Sequence, residues 1–223
     1  HEESFEARLH AADGKKIDNK KNKIADKAAM EAILAGLHDA VWQIANVTQK
    51  EQKRNPAPPF ITSTLQQEAA RKLGFSARRT MAVAQQLYEG IEMGEAGHVG
   101  LITYMRTDST NVAPEAQQES RNCVMERFGK EYLPEKPPVY RSRRGAQEAH
   151  EAIRPASVMR SPEDMKKWLS HDQIRLYDLI WKRFLASQMS PLILDGVTID
   201  INVGSCIFRA TGSTVKFPGF SRL

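Results

Sequence analysis

The chain has 223 residues, 41% of them hydrophobic and 26% charged, enough to bury a sizeable core in one or two domains. No apolar run approaches the roughly 18 residues that a bilayer span needs, and no secretory leader precedes the first strand-like segment, so no membrane partner is expected. The formal charge of +5 and the pI near 9.2 favour a polyanionic partner only weakly.

Phe5, Ala7 and Leu9 alternate with polar residues, as in a half-buried strand that turns near Gly14. Asp26 can cap a short helix with Ala29, Ile33, Leu34 and Leu37 along one stripe, and Val41 to Val47 reads as extended. Pro56, Pro58 and Pro59 then break the pattern, because proline fixes φ and restricts its predecessor. Ser63 and Gln66 have capping-box spacing for a helix ending near Gly74. Ser76 caps the next, with Met81, Ala84, Leu87 and Tyr88 on one face.

Val99 to Tyr104 is short, apolar and strand-like, and Thr107 to Thr110 is rich in capping and turn residues. Pro114 and Glu115 suit a first helical turn, with the helix running toward Phe128 before Gly129. Pro134, Pro137 and Pro138 mark an irregular basic loop, and Ser161, Pro162 and Asp164 start another helix. From Ile174, Leu176, Tyr177, Ile180, Trp181, Phe184 and Leu185 recur at helical spacing. After Pro191 the period becomes two, through Val197, Ile199, Ile201 and Val203, and Gly204-Ser205 can turn a hairpin into Cys206, Phe208 and Ala210.

The order is β-rich, helical, then β-rich again. The expected fold class is therefore α+β and multidomain: a discontinuous β-rich domain, residues 1–60 plus 188–223, interrupted by a mainly α-helical domain at 61–187. The linkers fall near 54–61 and 187–192. The chain opens and closes in strand-like patterns, as a piece of something longer would. Cys123 and Cys206 lack metal-ligand spacing, so two free thiols in a reduced, cytoplasmic setting are expected.

Positive charge gathers at Arg71, Lys72, Arg78 and Arg79, at Lys136, Arg141, Arg143 and Arg144, and along Lys15 to Lys27, where a solvated loop is the favoured reading. The segment Leu101-Ile102-Thr103-Tyr104-Met105-Arg106-Thr107-Asp108-Ser109 carries chemistry. If it is extended, Tyr104 and Arg106 share a face. A phenol, with an ordinary pKa near ~10, must lose its proton to attack phosphorus. A neighbouring guanidinium favours the phenolate, neutralises charge on phosphate oxygens and matches two of them with its fork. Asp108 can orient that arginine or relay a proton. A half-buried tyrosine beside a surface arginine is the bland alternative.

The stretch LITYMRTDST at 101–110 resembles the active-site signature of the type IA DNA topoisomerases. Pro59 to Gln66, PFITSTLQ, resembles the family's segment entering its catalytic helical domain, and Gln147 to Pro155, QEAHEAIRP, resembles a third motif in the right order. Methionine after the tyrosine is similar to bacterial topoisomerase I.

That resemblance implies that Tyr104 attacks single-stranded or underwound DNA, forming a 5′-phosphotyrosine and a free 3′-hydroxyl. Negative supercoils then relax without ATP. It implies Arg106 on the scissile phosphate and His150 beside the site, touching the phosphate or Asp108. It also implies a β-rich arch, with the helical domain as its mobile lid. Arg154 is open between a DNA-backbone contact and a local salt bridge; Thr107 and Ser109 are open between phosphate donors and helix capping. Lys136, Arg141, Arg143 and Arg144 line the DNA path or form a solvated loop.

The family's Asp-x-Asp metal-binding domain has no counterpart in the sequence. Mg2+ is expected to bind in a missing N-terminal domain and not to this chain, which alone should not relax DNA. Implied partners are DNA and the missing metal-binding and DNA-binding domains, in a cytoplasmic, nucleoid-associated setting. Two other readings stand beside this one: a non-catalytic single-stranded-DNA-binding module, and a recombinase-type tyrosine enzyme, which the motif order fits poorly.

Overall fold

The computed structural model describes residues 4–18, 22–140 and 150–223. The chain forms two compact units, His1–Arg54 with Ile193–Phe217, and Asn55–Leu192 with Pro218–Leu223.

The first unit is a five-stranded sheet with one helix. Its elements are β1 (Arg8–Ala12), β2 (Lys15–Lys16), α1 (Lys27–Ala35), β3 (Trp42–Arg54), β6 (Leu192–Val203) and β7 (Cys206–Phe217), while β4 (Ile91–Glu92) and β5 (His98–Val99) lie in the other unit. The sheet order is β2-β1-β7-β6-β3, and the β1–β2, β1–β7 and β6–β7 pairs are antiparallel. Asp13 and Gly14 both take positive φ, 49° and 73°, which suits the two-residue turn between Ala12 and Lys15. The β6–β7 hairpin closes between Val203 and Cys206, with Gly204 at φ 58°, as its sequence predicts.

Two expectations shift here. The first strand starts at Arg8, where its ladder to Arg209 begins, and Phe5 lies before it, exposed. The extended segment after α1 runs on to Arg54 as an edge strand, exposed along its length. Asp26 caps α1 as expected, accepting the Ala29 N–H at 2.8 Å.

The second unit holds α2 (Thr62–Leu73), α3 (Ala77–Glu89), the short hairpin β4 (Ile91–Glu92) and β5 (His98–Val99), α4 (Pro114–Phe128), α5 (Pro162–Met165) and α6 (His171–Ser187). Its α2, α3 and α6 pack around Leu65, Ala69, Val83, Ala84, Leu87, Leu176, Ile180 and Phe184, all buried. The spacing from Ile174 correctly marks α6, which Ser170 opens by accepting the Gln173 N–H while Gln173 accepts the Ser170 N–H. Gly74 closes α2 in the left-handed region (φ 71°).

The start of α2 differs from expectation. Its N-cap is Ile61, not Ser63, and the Thr64 hydroxyl accepts the Ile61 N–H at 3.1 Å. Residues on both sides of β6 and β7 also join this unit: Ser190 donates to Tyr132 O and accepts from the Phe220 N–H. Both cysteines are buried and free. No helix among the described residues is long and apolar enough to cross a membrane.

The basic cluster on α2 and α3 is largely matched by acids. Arg71 and Lys72 pair with Glu68, and Arg79 makes a two-bond fork with Asp172 at 2.7 and 2.8 Å. Burial of Glu68 pushes its carboxyl upward, but Lys72, Arg71 and Arg183 outweigh this and hold it below the ordinary value of 4.5. The contribution of Glu68 to stability is therefore whole above pH 4.5 and is lost as pH falls through the lowered folded value. Glu68→Gln should cost about 1 kcal/mol near neutrality, at the low end because Arg71 and Lys72 stand in solvent. Thermal denaturation at several pH values checks this: the gap between variant and parent should close in acid.

Candidate active site

The three sequence motifs meet in the helical unit. Residues 150–156 lie between the segment leading into α2 and the segment after β5. Phe60 and Ile153 form one antiparallel bridge, Ile102 and Pro155 another. The Ile153 N–H donates to Phe60 O, the Thr103 N–H to Arg154 O, and the Ala156 N–H to Leu101 O, at 2.8, 2.9 and 2.8 Å. Phe60, Leu101, Ile102 and Ile153 are almost completely buried beneath this junction.

The junction is braced on its far side. Glu119 on α4 accepts from the Ser157 hydroxyl at 2.5 Å and from the Val158 N–H at 3.0 Å. From α6, Tyr177 Oη donates to Arg160 O and Trp181 Nε1 to Val158 O. Gly100 lets the chain pass close to the end of α3: a Cβ there would stand 2.9 Å from Tyr88 O.

The strand expected from Val99 to Tyr104 is not regular beyond Val99. Strand β5 stops at Val99, and among the described residues after it Ile102 is bridged, to Pro155, with no longer ladder. Period-two alternation persists nonetheless. Met105, Thr107 and Ser109 are buried, whereas Tyr104, Arg106 and Asp108 are exposed. The Tyr104 ring, 46% exposed, packs edge-on to Tyr88 of α3, with centroids 5.4 Å apart.

Arg106, Thr107, Asp108 and His150 share a shallow depression with Ile61, Thr62 and Ser63 at the N-terminus of α2. Its lining does not include Tyr104. Among the described residues, neither Arg106 nor Asp108 has an ion-pair partner, and His150 is exposed. An exposed guanidinium, an imidazole and the positive end of a helix dipole together suit a phosphate oxyanion.

The other candidates separate. Thr107 Oγ1 accepts the Ser109 N–H and Ser109 Oγ accepts the Asn111 N–H, both at 3.1 Å, so these hydroxyls hold turns before α4 and do not cap it. The N-cap of α4 is Ala113, which has no side-chain acceptor to offer. Glu151 supplies one, taking the Ala113 N–H on Oε1 at 2.8 Å. Its Oε2 pairs with Arg154 Nη2 at 2.7 Å. Arg154 also donates to Pro155 O, and its side chain is 12% exposed, so the local salt bridge is made in this structure. Arg143 and Arg144, with Arg141 and Gln147 to Ala149, lie outside the described residues. Lys136 is exposed.

Sequence reading missed Thr62, Tyr88 and Glu151 as parts of this site. Glu151 lies inside a quoted motif and three residues from Arg154, but that spacing points to an ion pair only on a helix, and this segment is not helical.

The sequence model of the DNA topoisomerase family matches residues 2–223. Among solved structures, full-length topoisomerase I from Thermotoga maritima is similar, with 41% identity and a TM-score of 0.77 over 93% of this chain and 33% of that one. The chain belongs to the DNA topoisomerases, and within them to the bacterial type IA branch. It spans about a third of the length of the Thermotoga relative.

Glu151→Ala should leave the Ala113 N–H uncapped and Arg154 without its carboxylate. The expected cost is about 2–4 kcal/mol, short of the fully buried range because Glu151 is 31% exposed. In an Arg154→Met background the same change should cost much less, which denaturant unfolding of the four variants measures.

Proposed function

We propose that this chain carries the strand-cleaving part of a topoisomerase site, with Tyr104 as the nucleophile and Arg106 and His150 beside it. The observation that supports this reading is the alternation at 104–109. It puts Tyr104, Arg106 and Asp108 in solvent and anchors the residues between them in the core. A nucleophile must reach a polymer too large to enter a cavity, so an exposed side chain on a fixed backbone is what the reaction requires.

The phenolic oxygen of Tyr104 attacks the phosphorus of one phosphodiester in single-stranded or underwound DNA. The new O–P bond forms as the bond to the 3′ oxygen breaks. The phenolic proton leaves during attack, and the departing oxygen takes one up to become the 3′-hydroxyl. Arg106 neutralises charge on the non-bridging oxygens, and its fork fixes the phosphate for in-line attack. His150 shares the depression with Arg106 and Asp108, and touches the phosphate or Asp108. The broken ester is exchanged for another, so the 3′-hydroxyl can reverse the step after strand passage without ATP.

The family is compatible with Mg2+, whose ligands we place in a preceding domain. Among the described residues no group of three or more His, Cys, Asp or Glu side chains converges to hold a metal. The substrate implies work on the nucleoid, in the cytoplasm. A module binding DNA through the basic faces of α2 and α3 is the weaker reading, because Glu68, shared by Arg71 and Lys72, and Asp172, paired with Arg79, offset part of that charge.

The test is covalent capture. The full-length enzyme is mixed with Mg2+ and a single-stranded oligonucleotide labelled 3′ of the cleavage point, then denatured. A labelled adduct is expected from the parent and none from Tyr104→Phe, with the rate in Arg106→Ala lowered by on the order of 10²–10³-fold. The chain alone should not relax plasmid DNA. An adduct that persists in Tyr104→Phe sinks the assignment, and relaxation by the chain alone sinks the division of the site.

A further inference from the structure

Thr62 is the first residue of α2, yet its side chain does little for that helix. The hydroxyl that closes the first turn belongs to Thr64. Thr62 Oγ1 reaches across to the segment carrying Arg106. It donates to Met105 O at 2.8 Å, with Thr107 O as a second acceptor at 3.0 Å, and it accepts the Thr107 N–H at 2.9 Å. The Thr62 backbone N–H adds a further bond to Thr107 O at 2.9 Å. One side chain thus ties down the peptide groups on both sides of Arg106.

This matters because no hydrogen bond or ion pair among the described residues holds the Arg106 side chain itself. Its side chain is exposed and has no ion-pair partner there, so the reach of the guanidinium is set by where the backbone at 105–107 is held. Thr103 plays the corresponding part before Tyr104. Its hydroxyl donates to Ala152 O at 2.7 Å and accepts the Arg154 N–H at 2.9 Å. Tyr104 to Arg106 is therefore a short span clamped at each end by a threonine hydroxyl that is donor and acceptor at once.

We infer that Thr62 is a positioning residue for Arg106, holding the guanidinium in register with the phosphate that Tyr104 attacks. The inference rests on the reading of Tyr104 and Arg106 given above. A valine at this position keeps the branched shape and loses every side-chain hydrogen bond. An alanine loses the same bonds and suits a helical first turn better, which guards against a variant that fails to fold. A serine keeps the hydroxyl.

The experiment measures single-turnover adduct formation by the full-length enzyme on a saturating labelled oligonucleotide, with oligonucleotide affinity and thermal unfolding measured alongside. Thr62→Val and Thr62→Ala should slow adduct formation by on the order of 10²-fold, the usual effect of a misplaced catalytic group. Affinity should change far less, and Thr62→Ser should recover most of the rate. The deciding arm is the Arg106→Ala background, where adding Thr62→Val should slow the reaction little further, since there is no longer a guanidinium to misplace. An equal loss in both backgrounds, or full activity in Thr62→Val and Thr62→Ala, overturns the inference while leaving Tyr104 in place. An adduct that survives Tyr104→Phe overturns the underlying reading, and this inference with it.

Discussion

The helical unit depends on a short run of backbone, residues 150–156, that is hydrogen-bonded to the segments at Phe60 and at Leu101 to Thr103. Neither flanking segment has a strand of its own to pair with at these positions. Buried N–H and C=O groups must nevertheless find partners, and here many of them find one another across the three segments. The result is a three-way crossing with Phe60, Ile102 and Ile153 in the core below it and Tyr104, Arg106 and His150 in solvent. Apolar burial sets the depth of this crossing, and the backbone bonds set its register.

Charge is distributed around that crossing in a consistent way. Several cations of the helical unit are paired with acids: Arg71 and Lys72 share Glu68, Arg79 takes Asp172, and Arg154 takes Glu151. Arg106 and Asp108 stand in solvent without such partners among the described residues. A fixed cation free to meet an incoming anion is worth more to a reaction than one already neutralised, because it need not exchange partners first.

Much of this was legible in the sequence. Helical spacing marks α6, Ser76 and Asp26 cap the helices they precede, and Gly204-Ser205 turns the hairpin that ends the chain's last two strands. The motif around Tyr104 foretells which side chains reach solvent, although the chain there is not a regular strand. What stayed hidden depends on partners distant in sequence. The length of β3 and the exposure of Phe5 follow from where neighbouring strands lie. Thr62 and Glu151 act through backbone groups on other segments, and no local spacing encodes such bonds.

The clamp around Tyr104 and Arg106 also has a kinetic side. Its bonds join residues 43 to 51 positions apart, each closing a long loop whose entropy must be met before the bond stabilises anything. Helices α2, α3 and α6, built on neighbours in sequence, face no such delay. The reactive segment is therefore expected to take its shape after the helices that surround it, since in a partially opened molecule it has little local structure to fall back on. Competence for chemistry is in this sense a late and cooperative property of the helical unit, present only when three distant stretches of chain have found one another.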